Sequence, residues 1–158
     1  MAERDHITRL RRAALGYEAD YAAWLDHQVR LLKADRWSEV DKDNLIDEVE
    51  SLGRSEFRSF VSAIEIVLIH MLKWDFQPQR RTAGWIASII EHRRRIEAEL
   101  EDSPSYAARC EEAVHRAYRT APIAAARETR LPISTFPADC PYSWSEIVDR
   151  DHELPSRG

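Results

Sequence analysis

The stretch FRSFVSAIEIVLIHMLKWDF, from Phe57 to Phe76, is the longest apolar segment of the sequence. At about 100° per residue, its apolar side chains cover more than half of the circumference of a helix. A helix that is apolar on most sides is a buried one. The stretch also carries five ionisable side chains, Arg58, Glu65, His70, Lys73 and Asp75. Because a membrane span has about 18 or more residues with few or no charges, we expect the central helix of a soluble bundle.

The composition narrows the class of protein. A chain of 158 residues is about one domain and is long enough to bury a core without disulfides or metals. The formal net charge of −5 disfavours general binding to nucleic acid, which depends on a basic face that neutralises phosphates. The 4 glycines and 32% of charged residues suit helices with ion-paired outer faces. We therefore predict an all-α fold, a bundle of about four to six helices around the buried central helix.

The cysteines and the two ends of the sequence indicate the compartment and the domain limits. Cys110 and Cys140 are too few for a disulfide scaffold and too far apart in sequence for a metal-type pair, so a reducing cytoplasm is the expected setting. The N-terminus, MAERDHITRLRR, lacks the apolar region of a signal peptide. We expect a basic N-terminal arm over residues 1–16, a single helical domain over residues 17–155 and a tail over residues 156–158.

One helical pattern comes first in the chain. Apolar residues spaced three and four apart from Tyr17 onward predict an amphipathic helix that ends near Lys33 or Ala34. Its aromatic side chains Tyr21 and Trp24 fall on the buried side of the pattern, as do Trp74 and Trp85 further along. These aromatic residues are therefore expected in the core rather than around a ligand.

A second helical pattern leads into the central stretch. Asp41 or Ser38 is suited to cap it. The side chains expected to be buried recur at helical spacing and are Leu45, Val49 and Leu52. This stripe stays in phase through Gly53, which costs up to about 1 kcal/mol inside a helix. The spacing therefore allows either one continuous helix or two helices with a kink at Gly53.

Prolines and caps mark the later helices. Pro78 ends the central helix, and Thr82 caps the next. Ser103 with Pro104 opens a further helix, which Pro122 interrupts before a last helical segment. The proline-rich remainder predicts a C-terminal strap across the bundle, with a short helix whose capping box begins at Ser143.

Arg93 lies in the middle of an otherwise apolar helix face. Buried charge is costly unless it is paired, so Arg93 is expected to meet a carboxylate. The candidates are Glu65, which also projects from a buried face, together with Glu48 and Asp47. A structural ion pair is the commoner explanation of such a pattern, and a catalytic or anion-binding arginine is the rarer one.

His70 lies on the central helix, where a neutral imidazole can serve as a metal ligand or as a base. A zinc site needs at least about three converging protein ligands, and no spacing here enforces such a set. A core histidine bonded to the backbone or to a carboxylate is the commoner arrangement. We predict no cofactor and keep a divalent metal at His70 and Glu48 as the less favoured alternative.

The remaining motifs point away from familiar catalytic chemistry. The sequence has no Gly-rich phosphate loop, no nucleophile elbow and no H-E-x-x-H motif. Arg80 and Arg81 form a small basic patch before Thr82. With the basic residues of the arm, it would suit an acidic partner; these residues are Arg4, Arg9, Arg11 and Arg12.

Several of these stretches occur together in a known family. They are YEADYAAWLDHQVRLLK, DKDNLIDEVESLGRSE, HMLKW with Pro78, GWIASIIEHRR, SPSY and FPADCPYSWSEIVD. With them the chain resembles the bacterial family called domain of unknown function twenty-nine, from about Tyr17 to Pro155. The resemblance implies an all-helical, soluble, bacterial protein whose biochemical role is not established. The residues that carry over are Asp47, Glu48, His70, Lys73, Trp74, Trp85, Arg93, Pro137, Cys140 and Pro141. Pro122 departs from the family pattern and puts the continuity of its helix in question.

The leading interpretation is a non-enzymatic helical module that binds another macromolecule or itself. A protein partner or a homo-oligomer is expected, and no membrane. Nucleic-acid binding through Arg80, Arg81 and the N-terminal arm is a disfavoured third class, which would show as a steep fall in affinity with added salt. The residues assigned to binding are Asp47, Lys73, Arg80 and Arg81. The alternative is a metal-dependent or acid/base enzyme with a cleft around Asp47, Glu48, His70 and Arg93, in which Glu48, His70 and Arg93 are the catalytic candidates. The sequence leaves the ligand, the partner and the oligomeric state open.

Overall fold

The computed structural model describes residues 16–154 of the chain. Within these residues all regular structure is helical, which confirms the all-α prediction. The α-helices are α1 (Tyr21–Lys33), α2 (Lys42–Phe76), α3 (Ala83–Asp102), α4 (Cys110–Tyr118), α5 (Ala121–Thr129) and α6 (Trp144–Asp149). The arm, except for Gly16, and the tail at residues 156–158 lie outside the described residues. Across residues 16–154, no helix combines the length and the apolar character that crossing a bilayer requires.

Helix α2 contains the apolar stretch and also the pattern that precedes it. Its 35 residues run through Gly53 without interruption, so the helix is continuous rather than kinked into two. From Phe57 onward most of its side chains are buried, including Phe60, Ile64, Leu68 and Leu72. The prediction of a buried central helix is confirmed for this part of α2.

Local sequence signals explain where the helices begin and end. Helix α1 starts at Tyr21, later than the predicted Tyr17, because the Asp20 carboxylate accepts the backbone N–H of Ala23 at 3.0 Å and caps it. Thr82 caps α3 as predicted, through a bond of 3.3 Å from the backbone N–H of Trp85. Pro122 lies at the start of α5, where its missing N–H costs nothing.

The described chain divides into two compact units between Gly53 and Arg54. The first contains α1, a 3₁₀ turn at Trp37–Glu39 and the beginning of α2. In the second, α3 to α6 pack around the later part of α2, and Ile89, Ile96, Ala117 and Ile147 join its core. The second unit is thus the predicted bundle around a central helix, while the predicted limits of a single domain stay a prediction.

The C-terminal segment forms turns of its own rather than a simple extended strap, and the strap prediction is not confirmed. A 3₁₀ turn at Ile133–Thr135 is followed later by α6, which begins at the predicted capping box of Ser143. The Phe136 ring packs edge-on against Phe76, with ring centroids 5.4 Å apart. The segment therefore contributes to the core of the second unit.

Candidate functional site

Buried polar side chains join the two helices of the first unit. The side-chain carbonyl of Gln28 accepts the backbone N–H of Asp41 at 2.9 Å. The Asp41 carboxylate accepts the indole N–H of Trp24 at 3.1 Å and the side-chain amide of Asn44 at 2.8 Å. The bond from Asn44 is the main cause that lowers the pKa of Asp41, against an opposing effect of burial. The start of α2 is therefore fixed to α1, with Asp41 ionised.

Glu48 is the second point at which α2 is joined to the preceding chain. Its carboxylate accepts hydrogen bonds from the hydroxyls of Tyr17 and Tyr21, the latter at 2.7 Å. These bonds lower the pKa of Glu48, and the bond from Tyr17 to Glu48 raises the pKa of Tyr17 to about 12. The rings pack beside Trp24, at centroid distances of 4.9 Å for Tyr17 and 6.0 Å for Tyr21. Glu48 thus stays ionised while its partners are neutral phenols.

The apolar face of α2 in the first unit is uncovered. Ile46 is 56% exposed, Val49 64% and Leu52 61%. The prediction that Val49 and Leu52 are buried is therefore wrong. Because residues three apart lie on one side of a helix, these side chains form a continuous surface about two turns long, here called the α2 stripe. Large apolar side chains elsewhere in this unit are also exposed, namely Tyr21, Val29 and Trp37.

His70 lies in the second unit, where it is partly buried. Its Nδ1 lies 2.9 Å from the backbone carbonyl of Ile66, so this nitrogen carries the proton and donates it. Burial is the main cause that lowers the pKa of His70, and nearby Lys73 and His92 lower it further. The imidazole is therefore neutral near pH 7, which suits either a core histidine or a metal ligand.

Lys73 and Arg81, two of the residues predicted to bind a ligand, have partners in the second unit. The Lys73 ammonium is buried, pairs with the Glu128 carboxylate at 2.7 Å and lies 4.7 Å from the centre of the Trp85 ring. Arg81 donates to the backbone carbonyl of Trp74 at 3.0 Å and also lies over its ring. These contacts are structural. Arg80 is exposed in the turn that follows α2.

The prediction that Arg93 pairs with a carboxylate is wrong. Its side chain instead bonds the backbone at the end of α6. Its guanidinium donates to the backbone carbonyls of Ile147 and Arg150, both at 2.7 Å, and of Glu146 at 2.9 Å. Carbonyls in the last turn of a helix have no partner within the helix. Arg93 supplies a donor to the Ile147 carbonyl in this turn and to the Arg150 carbonyl just after it, while the Glu146 carbonyl also accepts the backbone N–H of Arg150 at 3.2 Å. Burial lowers the pKa of Arg93. An open groove of about 340 Å³ lies beside it, lined by α3 and α6.

The predicted site residues thus belong to different units. Asp47 and Glu48 lie in the first, whereas His70 and Arg93 lie in the second. Among residues 16–154, no group of three or more His, Cys, Asp or Glu side chains is arranged to hold a metal ion. The metal-dependent or acid/base enzyme, with its ligands His70 and Glu48, stays a prediction.

Sequence reasoning missed two of the polar arrangements. Tyr17 and Tyr21 are four residues apart and so face the same way, which was a usable signal for a shared partner, although nothing in the sequence named Glu48. Asp75 accepts bonds from Arg150 and from Tyr142. These partners are 75 and 67 residues away from it, so no local pattern reports them.

A comparison with models of known protein families gives a match. The model of a family described as "Domain of unknown function DUF29" matches residues 16–153. No curated protein and no solved structure matches the chain significantly. The family match extends over both units and all of the helices described above.

Proposed function

The chain belongs to the DUF29 family, whose description assigns no activity, and from its own surface we propose that it is a protein-binding module. The first unit is the binding element, and the α2 stripe is the contact surface. The occupant is an amphipathic helix of another protein, which lays its apolar side along Ile46, Val49 and Leu52.

The exposure of the α2 stripe is the observation that carries this proposal. Completely burying one large aliphatic side chain is worth about 1.5 to 3 kcal/mol. The three stripe residues are more than half exposed, so covering them would contribute roughly 3 to 5 kcal/mol before the entropic cost of association. Contiguous apolar surface left open on a folded unit is typical of interaction sites.

The hydrogen bonds behind the stripe support the same proposal. Gln28 and Trp24 bond Asp41 at the start of α2, and two tyrosines bond Glu48 in its second turn. These bonds hold the stripe in place before any partner arrives. A surface that is already ordered loses less entropy on binding, which favours affinity.

The proposed setting is the reducing cytoplasm of a bacterium. Cys110 and Cys140 are both free and partly buried. Burial raises the pKa of each thiol, so neither is activated as a nucleophile. Nucleic acid is not proposed as a partner, because the binding element itself is acidic.

The test uses a synthetic amphipathic helix of about five turns, with a leucine face and an uncharged glutamine face, as the probe. We expect the full chain to bind it and the variant Val49→Thr/Leu52→Asn to bind it at least about tenfold more weakly, which corresponds to 1.4 kcal/mol or more. Both substitutions keep the size of the side chain and add no charge. The matched control is Ile123→Thr in the second unit, because Ile123 is 62% exposed.

Two results would overturn the proposal. One is equal binding of the probe by the native chain and the stripe variant. The other is a concentration-dependent dimer of the native chain in sedimentation that the stripe variant abolishes, since the surface would then belong to a second copy of the chain. Circular dichroism of each variant verifies that the helices are retained.

A further inference from the structure

Resting on the proposed function, we infer that the partner of the α2 stripe is a basic amphipathic helix, one whose apolar side is bordered by lysine or arginine. The charge of the first unit points to this class of partner. The first unit, residues 1–53, carries twelve acidic and eight basic side chains, a formal charge of −4 out of −5 for the whole chain. Its described part, residues 16–53, carries ten acidic and four basic side chains, a formal charge of −6. The acidic character of the protein is thus concentrated in the unit that carries the exposed stripe.

The negative charges of Asp41 and Glu48 are not neutralised by the contacts that these two carboxylates make. Asp41 accepts its bonds from an indole and an amide, and Glu48 from two phenols. All of these donors are uncharged, and they favour the ionised carboxylates. Among the basic residues, Arg36 pairs with Glu39 in the turn before α2. A net negative field therefore remains for a partner to meet.

Acidic side chains also border the α2 stripe on both sides. Asp43 lies three residues before Ile46 and four before Asp47, so these two carboxylates form a row along one edge of the stripe. Both are exposed. Glu48 lies four residues before Leu52 and borders the other edge. Like charges four residues apart destabilise a helix, and a cation placed between Asp43 and Asp47 would relieve that repulsion.

The same charges discriminate among occupants. Two copies of the first unit would bring strongly negative surfaces together, and an acidic helix would do the same. A neutral helix gains only the apolar contact. A basic helix gains the apolar contact and also ion pairs at both edges of the stripe. It should therefore bind more tightly and associate faster than a neutral or an acidic helix.

The test compares three synthetic helices that share one leucine face and differ only in a polar face of lysine, glutamine or glutamate. At low salt we expect the lysine helix to bind the full chain about tenfold more tightly than the glutamine helix, since a few exposed ion pairs each add a modest increment of affinity. The glutamate helix should bind most weakly. Added salt should reduce the advantage of the lysine helix.

Three variants locate the effect. Asp43→Asn/Asp47→Asn should bring the ratio of lysine-helix to glutamine-helix affinity from about tenfold most of the way towards one. Asp139→Asn, an exposed carboxylate of the second unit, is the matched control and should change neither. The neutral variant Val49→Thr/Leu52→Asn should weaken all binding.

The possible failures are distinguishable. Equal binding of the lysine and glutamine helices, both sensitive to the stripe variant, would overturn the basic partner and leave the protein-binding function intact. Failure of all three helices to bind would overturn both proposals. If the stripe variant bound the lysine helix as tightly as the native chain does, the binding would be diffuse charge attraction. That result would also overturn both proposals.

Discussion

Arg150 holds Asp75 through two parallel hydrogen bonds, from Nη1 to Oδ2 at 2.8 Å and from Nη2 to Oδ1 at 2.7 Å. The hydroxyl of buried Tyr142 donates to the same carboxylate at 2.9 Å. Burial acts to raise the pKa of Asp75, but the bonds from Arg150 and Tyr142 outweigh it, and the pKa is lowered. This network joins the end of α2 to the C-terminal segment within the second unit.

Removing the charge of Asp75 should therefore destabilise the second unit. In Asp75→Asn the bidentate pair with Arg150 is lost, and hydrogen bonds to charged partners contribute about 1.5 to 3 kcal/mol. We expect a loss of this size in the free energy of unfolding, measured by urea denaturation. The control is Glu112→Gln, which breaks exposed pairs with Arg109 and Arg116 and should cost less than about 1 kcal/mol. Equal losses in the two variants would contradict this role of Asp75.

Arg93 should not be replaceable by lysine. Its three donating nitrogens reach three different carbonyls around the end of α6, and a single ammonium cannot reproduce that planar geometry. We expect Arg93→Lys to lower the free energy of unfolding by about 1 to 3 kcal/mol, because the partly buried bonds to the carbonyls of Ile147 and Arg150 are weakened or lost. Amide hydrogen exchange should show the largest loss of protection in α6.

The adjacent exposed arginine supplies the control for this measurement. Arg94 has the same side chain on the same helix, and Arg94→Lys should change the free energy of unfolding by no more than about 0.5 kcal/mol. If Arg93→Lys were as mild as Arg94→Lys, the contacts with α6 would contribute little to stability.

Stability should fall as the pH drops below about 6.5, the ordinary pKa of histidine. Burial lowers the pKa of His70 and of His152, and Arg93 and Arg150 lower that of His152 further. Because both values are lower in the folded protein, the unfolded chain binds more protons in this range. The contribution of these two neutral histidines to the free energy of unfolding is therefore complete above about pH 6.5. It is lost as the pH falls through their pKa values in the folded protein. The loss ascribed to the lowered pKa of Asp75 comes at more acidic pH, below about 4.

His152→Gln isolates the C-terminal part of this effect. The imidazole packs edge-on against Trp74, and its Nε2 is buried without a partner, so charging it in place is unfavourable. We expect the variant to lose less stability than the native chain between pH 7 and pH 5, as measured by thermal denaturation across a pH series at about pH 5 to 7. His115→Gln is the exposed control. An unchanged pH profile in His152→Gln would assign the whole effect to other groups.

The helical spacing of apolar residues predicted part of the fold correctly, but it did not predict which faces are covered or which groups bond to Arg93. The spacing that placed Phe60, Ile64 and Leu68 in a core was correct, because a helix apolar on most sides must be covered. The same spacing failed for Val49 and Leu52, since it shows which side chains share a face and not whether a neighbour covers that face. The partners of Arg93 were missed because every residue has a backbone carbonyl, so the sequence does not show which carbonyls accept a hydrogen bond. Their residues lie 53 to 57 positions away.

Gly53 marks the point where the two units meet in sequence, yet α2 passes through it as a continuous helix. A Cβ built at Gly53 meets nothing within 4 Å, so alanine fits there without strain. Because glycine inside a helix is less favourable than alanine by about 0.5 to 1 kcal/mol, we expect Gly53→Ala to stabilise the protein by that amount in thermal or urea unfolding. Gly84→Ala, in the first turn of α3, is the control. Its Cβ would lie 3.7 Å from Thr82, and its gain should be smaller because a terminal turn gains less from helix propensity. A loss of stability in Gly53→Ala would mean that the helix needs the freedom of glycine at this position, and α2 would then have to bend there in solution.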